Sequence, residues 1–460
     1  MGRIFGTDGV RGIANTELSC KLAMNVGRAA AMVIAERIGR RPIILIGKDT
    51  RISSDMLEAA MVAGLTSVGA EVVLGGVLPT PAVSYLIASS HADGGIMLSA
   101  SHNSYEFNGI KIFGPGGHKL TDAEEFEIEH IVLDKVKPYS IRWGWELGRI
   151  RKGENLTEDY INRLVKSVDG DLSGLKVLVD CSNGSAVATA GEIFSRLGAD
   201  AELLHNQPNG VNINRDCGST HMEGLMERVG QGGYHAGIAF DGDADRCLAV
   251  DETGKLVDGD QILAILAKDK KARGVLSENT VVATVMSNLG FTKYCQEQDI
   301  RLETTKVGDR YVLGTMLRRG FSLGGEQSGH LIQPEVIATG DGQLTAITLL
   351  SILKKSGKKL SELAGEMQVY PQVVLNIRAD AVMKKMLDVD EGAKQIIEDA
   401  KVQLGTEGRI LVRASGTEPL IRVMIEGKDK GEIAALGESV TEGLKERLSH
   451  NEDCKLLEGF

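Results

Sequence analysis

Proline and cysteine are both scarce: 9 and 6 residues in a chain of 460. With 56 glycines beside so few prolines, the chain is expected to make many tight strand–helix turns, not long linkers or disorder. The cysteines are Cys20, Cys181, Cys217, Cys247, Cys295 and Cys454. None forms a C-x-x-C pair, so neither a structural zinc motif nor a dithiol redox motif is present. Their scatter fits reduced thiols in a cytoplasm. No apolar run is long enough to span a bilayer. The first residues, Met1-Gly2-Arg3-Ile4-Phe5-Gly6-Thr7-Asp8, lack the apolar core of a signal peptide. Positive charge is also lacking, since the formal net charge is -11. That argues against broad nucleic-acid binding, which needs a basic face, but leaves a small anionic substrate open. No G-x-x-x-x-G-K-[ST] phosphate loop occurs.

What is present describes a large layered protein. Hydrophobic content of 42% and charged content of 25% are ordinary for a globular chain. The length exceeds what one core usually serves and predicts three or four domains. Apolar runs at 42–47, 71–74 and 95–98 read as strands, and 21–39, 54–68 and 81–89 as helices. This alternation indicates an α/β layer domain. The theme of strand, polar turn and helix returns at 175–197 and 280–290, which suggests three similar α/β domains in series. Residues 121–160, with Trp143 and Trp145, read as a polar bridge. After about 370 the pattern changes to strands at 373–377, 409–413 and 421–426, with helices at 389–403 and 431–448. The expected boundaries are 1–155, 156–256, 257–369 and 370–460, the last being a smaller α+β domain.

Five polar stretches stand out. Ser99-Ala100-Ser101-His102-Asn103 follows the 95–98 strand and precedes a Gly-rich segment, 108–117, that contains Lys111. A Ser beside a His at a strand end is a candidate nucleophile with a proton-handling neighbour; a polar turn capping a helix is the plainer alternative. Asp241-Gly242-Asp243-Ala244-Asp245-Arg246 follows the apolar run 236–240. Three carboxylates at i, i+2 and i+4 repel one another unless a cation lies between them. The natural occupant is a hard divalent ion, Mg2+ or Mn2+. The spacing only partly mimics that of a calcium loop, since Gly stands second and not sixth. Gly324-Gly325-Glu326-Gln327-Ser328-Gly329-His330 offers the mixed donors and acceptors that suit sugar hydroxyls, or else a polar hairpin. Arg413-Ala414-Ser415-Gly416-Thr417-Glu418-Pro419, with Arg422, offers two guanidinium groups and an open backbone for a phosphate dianion. Residues 5–12, with three glycines and Arg11, read as an irregular loop that can lie close to a ligand, or as a β-turn.

Taken together and in this order, the motifs resemble those of the α-D-phosphohexomutases over essentially the whole length. Residues 5–12 and 324–330, with Gln327, are most similar to the branch acting on glucosamine phosphates. The resemblance implies three related mixed-sheet α/β domains and a C-terminal α+β domain like the TATA-box-binding-protein fold, around a central cleft. It implies that Ser101 is phosphorylated in the active enzyme, and that one Mg2+ per chain is held by Ser101, Asp241, Asp243 and Asp245. It implies sugar contacts from Glu326, Ser328 and Lys306, and phosphate contacts from Arg413, Ser415, Gly416, Thr417 and Arg422. Arg11, His102, Lys111 and Arg246 match charged catalytic positions, with Lys111 or His102 as the general base. The implied partner is a small hexosamine phosphate, with glucosamine 1,6-bisphosphate or a related bisphosphate as activator and intermediate. Neither nucleic acid nor membrane is implied, and a homodimer is compatible. One position departs from the family pattern: Ser104 stands where Pro is usual, which frees φ and restores an N–H. Three other readings compete. One is a mannose- or glucose-phosphate mutase of the same family. Another is a Mg-dependent phosphatase using Asp241 as nucleophile, and the last is a sugar-phosphate-binding protein without catalysis.

Overall fold

The computed structural model describes residues 3–6, 8–415 and 419–449. Gly416 and Thr417 therefore lie outside the described residues, as does Thr7. The chain divides into two compact units, one of residues 1–287 and 295–366, the other of residues 288–294 and 367–460.

The larger unit contains three mixed sheets. The first has seven strands: β1 (Phe5–Gly6), β2 (Gly9–Ile13), β3 (Ile43–Lys48), β4 (Glu71–Val77), β5 (Gly94–Leu98), β6 (Phe107–Phe113) and β7 (Ile150–Lys152). Their order is β1-β2-β6-β5-β3-β4-β7. β3 runs parallel to β4 and β5, whereas β6 is antiparallel to β5. All five residues of β5 are buried, as expected of a strand covered on both faces. The helix Cys20–Ile38 begins at Ser19, whose hydroxyl accepts from the Leu22 N–H, and ends at left-handed Gly39.

Three segments differ from the sequence reading. Residues 5–12 are not an irregular loop: β1 and β2 pair as an antiparallel hairpin, anchored by buried Phe5 and Val10. The Gly-rich stretch after the serine is largely strand β6, in which Ile110, Ile112 and Phe113 are buried. The 121–160 region is more ordered than a bridge. It holds the helix Asp122–Glu129, closed by a Thr121/Glu124 capping box, then β7 and the helix Leu156–Val165.

The second sheet comprises β8 (Lys176–Asp180), β9 (Asp200–Leu204), β10 (Ala236–Phe240), β11 (Cys247–Asp251) and β12 (Leu256–Val257), in the order β12-β11-β10-β8-β9. The third comprises β13 (Thr280–Thr284), β14 (Arg301–Thr305), β15 (Gly324–Gly325), β16 (Leu331–Gln333) and β17 (Ile337–Gly340), in the order β14-β13-β15-β16-β17. The repeat suspected from sequence is one of topology. Each sheet contains the same four-strand core, β4-β3-β5-β6, β9-β8-β10-β11 or β14-β13-β15-β16. In each, three parallel strands are followed by an antiparallel fourth.

The smaller unit carries an antiparallel sheet of β18 (Gln372–Arg378), β19 (Arg409–Ala414) and β20 (Leu420–Glu426), ordered β18-β20-β19. The helix expected at 389–403 is Glu391–Leu404, and a second helix that the sequence reading did not include, Ala381–Val389, precedes it. Extended Asp390 separates them, its carboxylate accepting from the Ala393 N–H and from Arg447. Residues 288–294 group with this unit although they follow β13 in sequence. Among the described residues no helix is long and apolar enough to cross a membrane.

Candidate active site

The sheet repeat positions the polar loops. The serine loop joins β5 to β6, the aspartate loop joins β10 to β11, and the 324–330 loop joins β15 to β16. These are equivalent crossings in the three sheets. Each loop contains a residue with left-handed backbone: Ser101 at φ 52°, Ala244 at φ 56° and Gly329 at φ 90°. For Ser101 and Ala244 that conformation costs energy and persists only where the surroundings enforce it.

The enforcement at Ser101 is visible. Arg51, wholly buried, donates through Nη2 to the carbonyls of Ser101 (2.9 Å) and Asn103 (2.8 Å). Its Nη1 donates to the carbonyls of Phe107 (3.1 Å) and Ser104. Asp49 fixes the guanidinium through Nε at 2.8 Å and accepts from Ser99 Oγ at 2.6 Å, while Ser99 Oγ accepts from the Ser101 N–H. From the loop that follows β9, Asn214 Nδ2 donates to the same Ser101 and Asn103 carbonyls. The Ser104 N–H donates no hydrogen bond among the described residues. The loop is therefore clamped by Arg51 where a proline ring would otherwise stiffen it.

Ser101 is 1% exposed, and its hydroxyl donates to Asp241 Oδ2 at 2.5 Å. His102 Nδ1 lies 3.3 Å from Ser101 Oγ. Gly242 packs against the serine loop so closely that a Cβ there would fall 2.5 Å from the Ser101 carbonyl. Asp241, Asp243 and Asp245 are buried, and one oxygen of each lies within 4.8 Å of the others. Burial and the charges of Asp245 and Asp243 push the Asp241 carboxyl well above its usual range. Asp243 is met by the start of the helix Thr80–Ser89, where Thr80 Oγ1 donates to Oδ2 at 2.5 Å. The Oδ1 atom of Asp243 is buried without a hydrogen-bond partner, and that of Asp245 is buried with His330 Nδ1 3.5 Å away. Converging hard oxygen donors with unsatisfied lone pairs fit a divalent cation such as Mg2+.

Lys111, 1% exposed, lies 2.7 Å from Asp243, 3.3 Å from Asp245 and 3.0 Å from Asp8. Burial disfavours its charge, but these carboxylates raise its pKa well above the ordinary lysine value, so it stays a cation. His102 goes the other way. Burial and the neighbouring Arg246 and Arg11 lower it to about 4, which leaves a neutral imidazole at neutral pH. Arg246 donates its N–H to Asp241 Oδ1 at 3.1 Å, and Arg11 pairs with Asp8. Both guanidinium Nε atoms are buried and make no hydrogen bond, as is the case for Ser328 Oγ; Arg246 Nε lies 3.9 Å from Asp245. Glu326 Oε1 accepts from the Gly308 N–H at 3.0 Å. Gln327 turns aside and donates to Asp258 at 3.1 Å. His330 is buried between Asp245 (3.5 Å) and Asp309 (3.7 Å). Against the effect of burial, Asp245, then Asp309 and Glu326, push it up to about 9.

Lys306 is not gathered into this cluster: it is exposed and has no ion-pair partner among the described residues. In the smaller unit, Arg413 on β19 stands directly opposite Arg422 on β20. Burial and the charge of Arg422 lower the Arg413 pKa, as expected of two cations awaiting an anion. Ser415 closes β19, its carbonyl accepting from Lys384 Nζ at 2.7 Å. The clamp residues Asp49 and Arg51, and the charged Asp8, Lys119 and Asp309, are absent from the sequence reading of the site. Each sits alone in its segment and gains meaning only from partners distant in sequence.

A serine presented to an acidic triad, on a threefold α/β repeat followed by a small antiparallel domain, defines a class, and matching family models agree. They are those of phosphoglucomutase/phosphomannomutase: alpha/beta/alpha domain I over residues 2–138, domain II over 158–254, domain III over 258–370 and the C-terminal domain over 374–443. The chain belongs to this family, the α-D-phosphohexomutases, and is an isomerase. It is 52% identical to the phosphoglucosamine mutase of Acetivibrio thermocellus, over 97% of this chain and 100% of that one. It is 51% identical to the phosphoglucosamine mutase of Caldicellulosiruptor bescii, over 98% and 100%. Its fold matches the crystal structure of a phosphoglucomutase/phosphomannomutase family protein from Burkholderia thailandensis with a TM-score of 0.82, at 23% identity over 97% of this chain and 98% of that one. It also matches the N-acetylphosphoglucosamine mutase of Aspergillus fumigatus in complex with GlcNAc-6P and magnesium, with a TM-score of 0.67, at 17% identity over 96% and 95%.

Proposed function

We propose that this enzyme interconverts glucosamine 6-phosphate and glucosamine 1-phosphate through a phosphorylated Ser101 and a 1,6-bisphosphate. The observation that carries the chemistry is the buried Ser101 hydroxyl, held in a strained loop and aimed at the acidic triad. The identity of about half the chain with phosphoglucosamine mutases supports the sugar.

Phosphoryl transfer needs alignment and charge neutralisation more than covalent help. Phosphorylated Ser101 carries roughly -1.5 to -2 charges, and Lys111, Arg11 and Arg246 offset them. Asp241, Asp243 and Asp245, with the serine phosphate, would hold Mg2+, which supplies further neutralisation of the transferring group. In the first transfer the bond from phosphorus to Ser101 Oγ breaks, and one forms to the free sugar hydroxyl oxygen. The hydroxyl proton passes to a base and ends on Ser101 Oγ. Neutral His102, 3.3 Å from that oxygen, suits the task better than Lys111, which its carboxylates keep protonated. The bisphosphate then turns, and Ser101 takes back the other phosphoryl group. Glu326 and Ser328 hold the sugar hydroxyls, and Arg413, Ser415 and Arg422 the phosphate that is not reacting. We assign the enzyme to the cytoplasm, in keeping with its five described free thiols.

Turnover on glucosamine, mannose and glucose phosphates, with Mg2+ and a trace of the matching 1,6-bisphosphate, tests the proposal. We expect kcat/KM at least about tenfold higher for glucosamine phosphate. Preference for mannose or glucose phosphate would overturn the sugar assignment. Ser101→Ala should abolish turnover while leaving sugar-phosphate binding; retained turnover would overturn the nucleophile.

A further inference from the structure

Six charged side chains from the three sheets of the larger unit close a ring. Lys111 lies 3.0 Å from Asp8 and 3.3 Å from Asp245. Lys119 contacts the other oxygen of Asp8 and lies 2.5 Å from Asp309. His330 stands between Asp309 and Asp245, at 3.7 and 3.5 Å. Acid and base alternate around the whole circuit. Half of it adjoins the acidic triad, but Lys119 and Asp309 lie on the far side. Neither contacts Ser101, Asp241 or Asp243.

What this far side does follows from the backbone beside it. Asp309 opens the helix Asp309–Arg319. Its predecessor, Gly308, donates its N–H to Glu326 Oε1, and its successor, Arg310, reaches Glu125 of the first domain at 2.9 Å. Lys119 thus grips the side chain of the residue next to the one whose N–H fixes the Glu326 carboxylate. Lys119 also shares Asp8 with Lys111, eight residues earlier on the same chain. The ion pair therefore ties the loop between β15 and β16 to the segment that carries Lys111.

We propose that Lys119 and Asp309 are a positioning pair, whose ion pair holds Glu326 and Ser328 in register with Ser101 and Lys111. The inference rests on the mutase reading given above. In-line transfer requires the acceptor oxygen near van der Waals contact with phosphorus, and a misplacement of about 1 Å costs on the order of 100-fold in rate. The donor lies on the first sheet and the sugar contacts on the third. A directional charge contact between those two bodies sets their spacing more sharply than an apolar seam.

The test is a double-mutant cycle with Lys119→Met and Asp309→Asn in the full chain, each compared with wild type. Circular dichroism and thermal midpoint correct for unfolded protein. Each single variant should lose at least about tenfold in kcat, with KM for the sugar phosphate within about threefold, because no sugar contact is removed. The double variant restores the charge balance of the ring and should be no slower than the poorer single variant. Lys119→Arg should retain most of the wild-type kcat. Three results would overturn the proposal: single variants within about twofold of wild type, a double-variant loss equal to the product of the single losses, or a loss accounted for by unfolded protein. The sugar that wild type turns over fastest is used throughout, so failure of the glucosamine assignment stays distinct from failure of the pair.

Discussion

Arg51 Nη2 donates to the carbonyl oxygen of Ser101 across 2.9 Å, from a side chain with no solvent exposure. The guanidinium thereby supplies the force that keeps Ser101 left-handed. Its planar fork satisfies carbonyls that a single ammonium cannot reach together. Arg51→Lys should keep the charge facing Asp49 yet release the loop. We expect kcat to fall on the order of 100-fold, with the thermal midpoint lowered by only a few degrees. A variant with unchanged kcat would show that the loop holds its shape without the fork.

Ser104 is the position where the family usually has Pro. Its N–H donates no hydrogen bond among the described residues, and its carbonyl remains available to Arg51 after substitution. Ser104→Pro should therefore leave kcat within about twofold of wild type or raise it, since the ring restricts the loop before folding. A large fall in kcat would mean that this loop needs the freedom that Ser104 provides.

The acidic triad predicts a change of sign. Without a divalent ion, Asp241 adds a repelling charge to a buried cluster, so Asp241→Asn should stabilise the metal-free protein. With Mg2+ present the same substitution removes a ligand. Wild type should then gain about 2.7 kcal/mol at a hundredfold excess over Kd, and the variant much less. Thermal midpoints across a Mg2+ titration check both halves; parallel curves for the two proteins would exclude the triad as the ion's seat.

His330 predicts a pH dependence of stability. An unfolded histidine titrates near about 6.5, whereas this one is pushed up to about 9. The folded state thus binds more protons than the unfolded state between those values. The stabilisation is fully present below about pH 6.5 and is lost as pH rises through about 9. Urea midpoints of the metal-free protein at about pH 6 and about pH 10 should fall further for wild type than for His330→Gln. Equal falls would show that the imidazole is not held as a cation.

Much of the fold was legible because period and length agreed. The runs at 42–47, 95–98 and 236–240 are continuous, apolar and short, and each became a strand in a covered sheet. The serine loop, the aspartate loop and the 324–330 loop stand out in the sequence because each concentrates polar groups within a few residues, and the structure places each at the same crossing of its sheet. The hairpin of β1 and β2 was not legible, since glycines hide its alternation and its order comes from pairing with β6. The charge ring was hidden more deeply. Asp8, Lys119 and Asp309 are ordinary polar residues in their own segments, and only the folding of the first domain and its meeting with the third make them neighbours. Lys306 was singled out only by its likeness to the family motif, and its side chain is exposed and outside the buried cluster.

The equivalent loop positions in the three sheets have a consequence for engineering. Each sheet opens its own mouth at the same crossing, between the third parallel strand and its antiparallel neighbour. Under the proposed mechanism the three mouths divide the labour: one would attack, one would hold the ion and one would meet the sugar. The β15–β16 turn of seven residues could then be rebuilt for another hexose while the serine and aspartate mouths stay untouched.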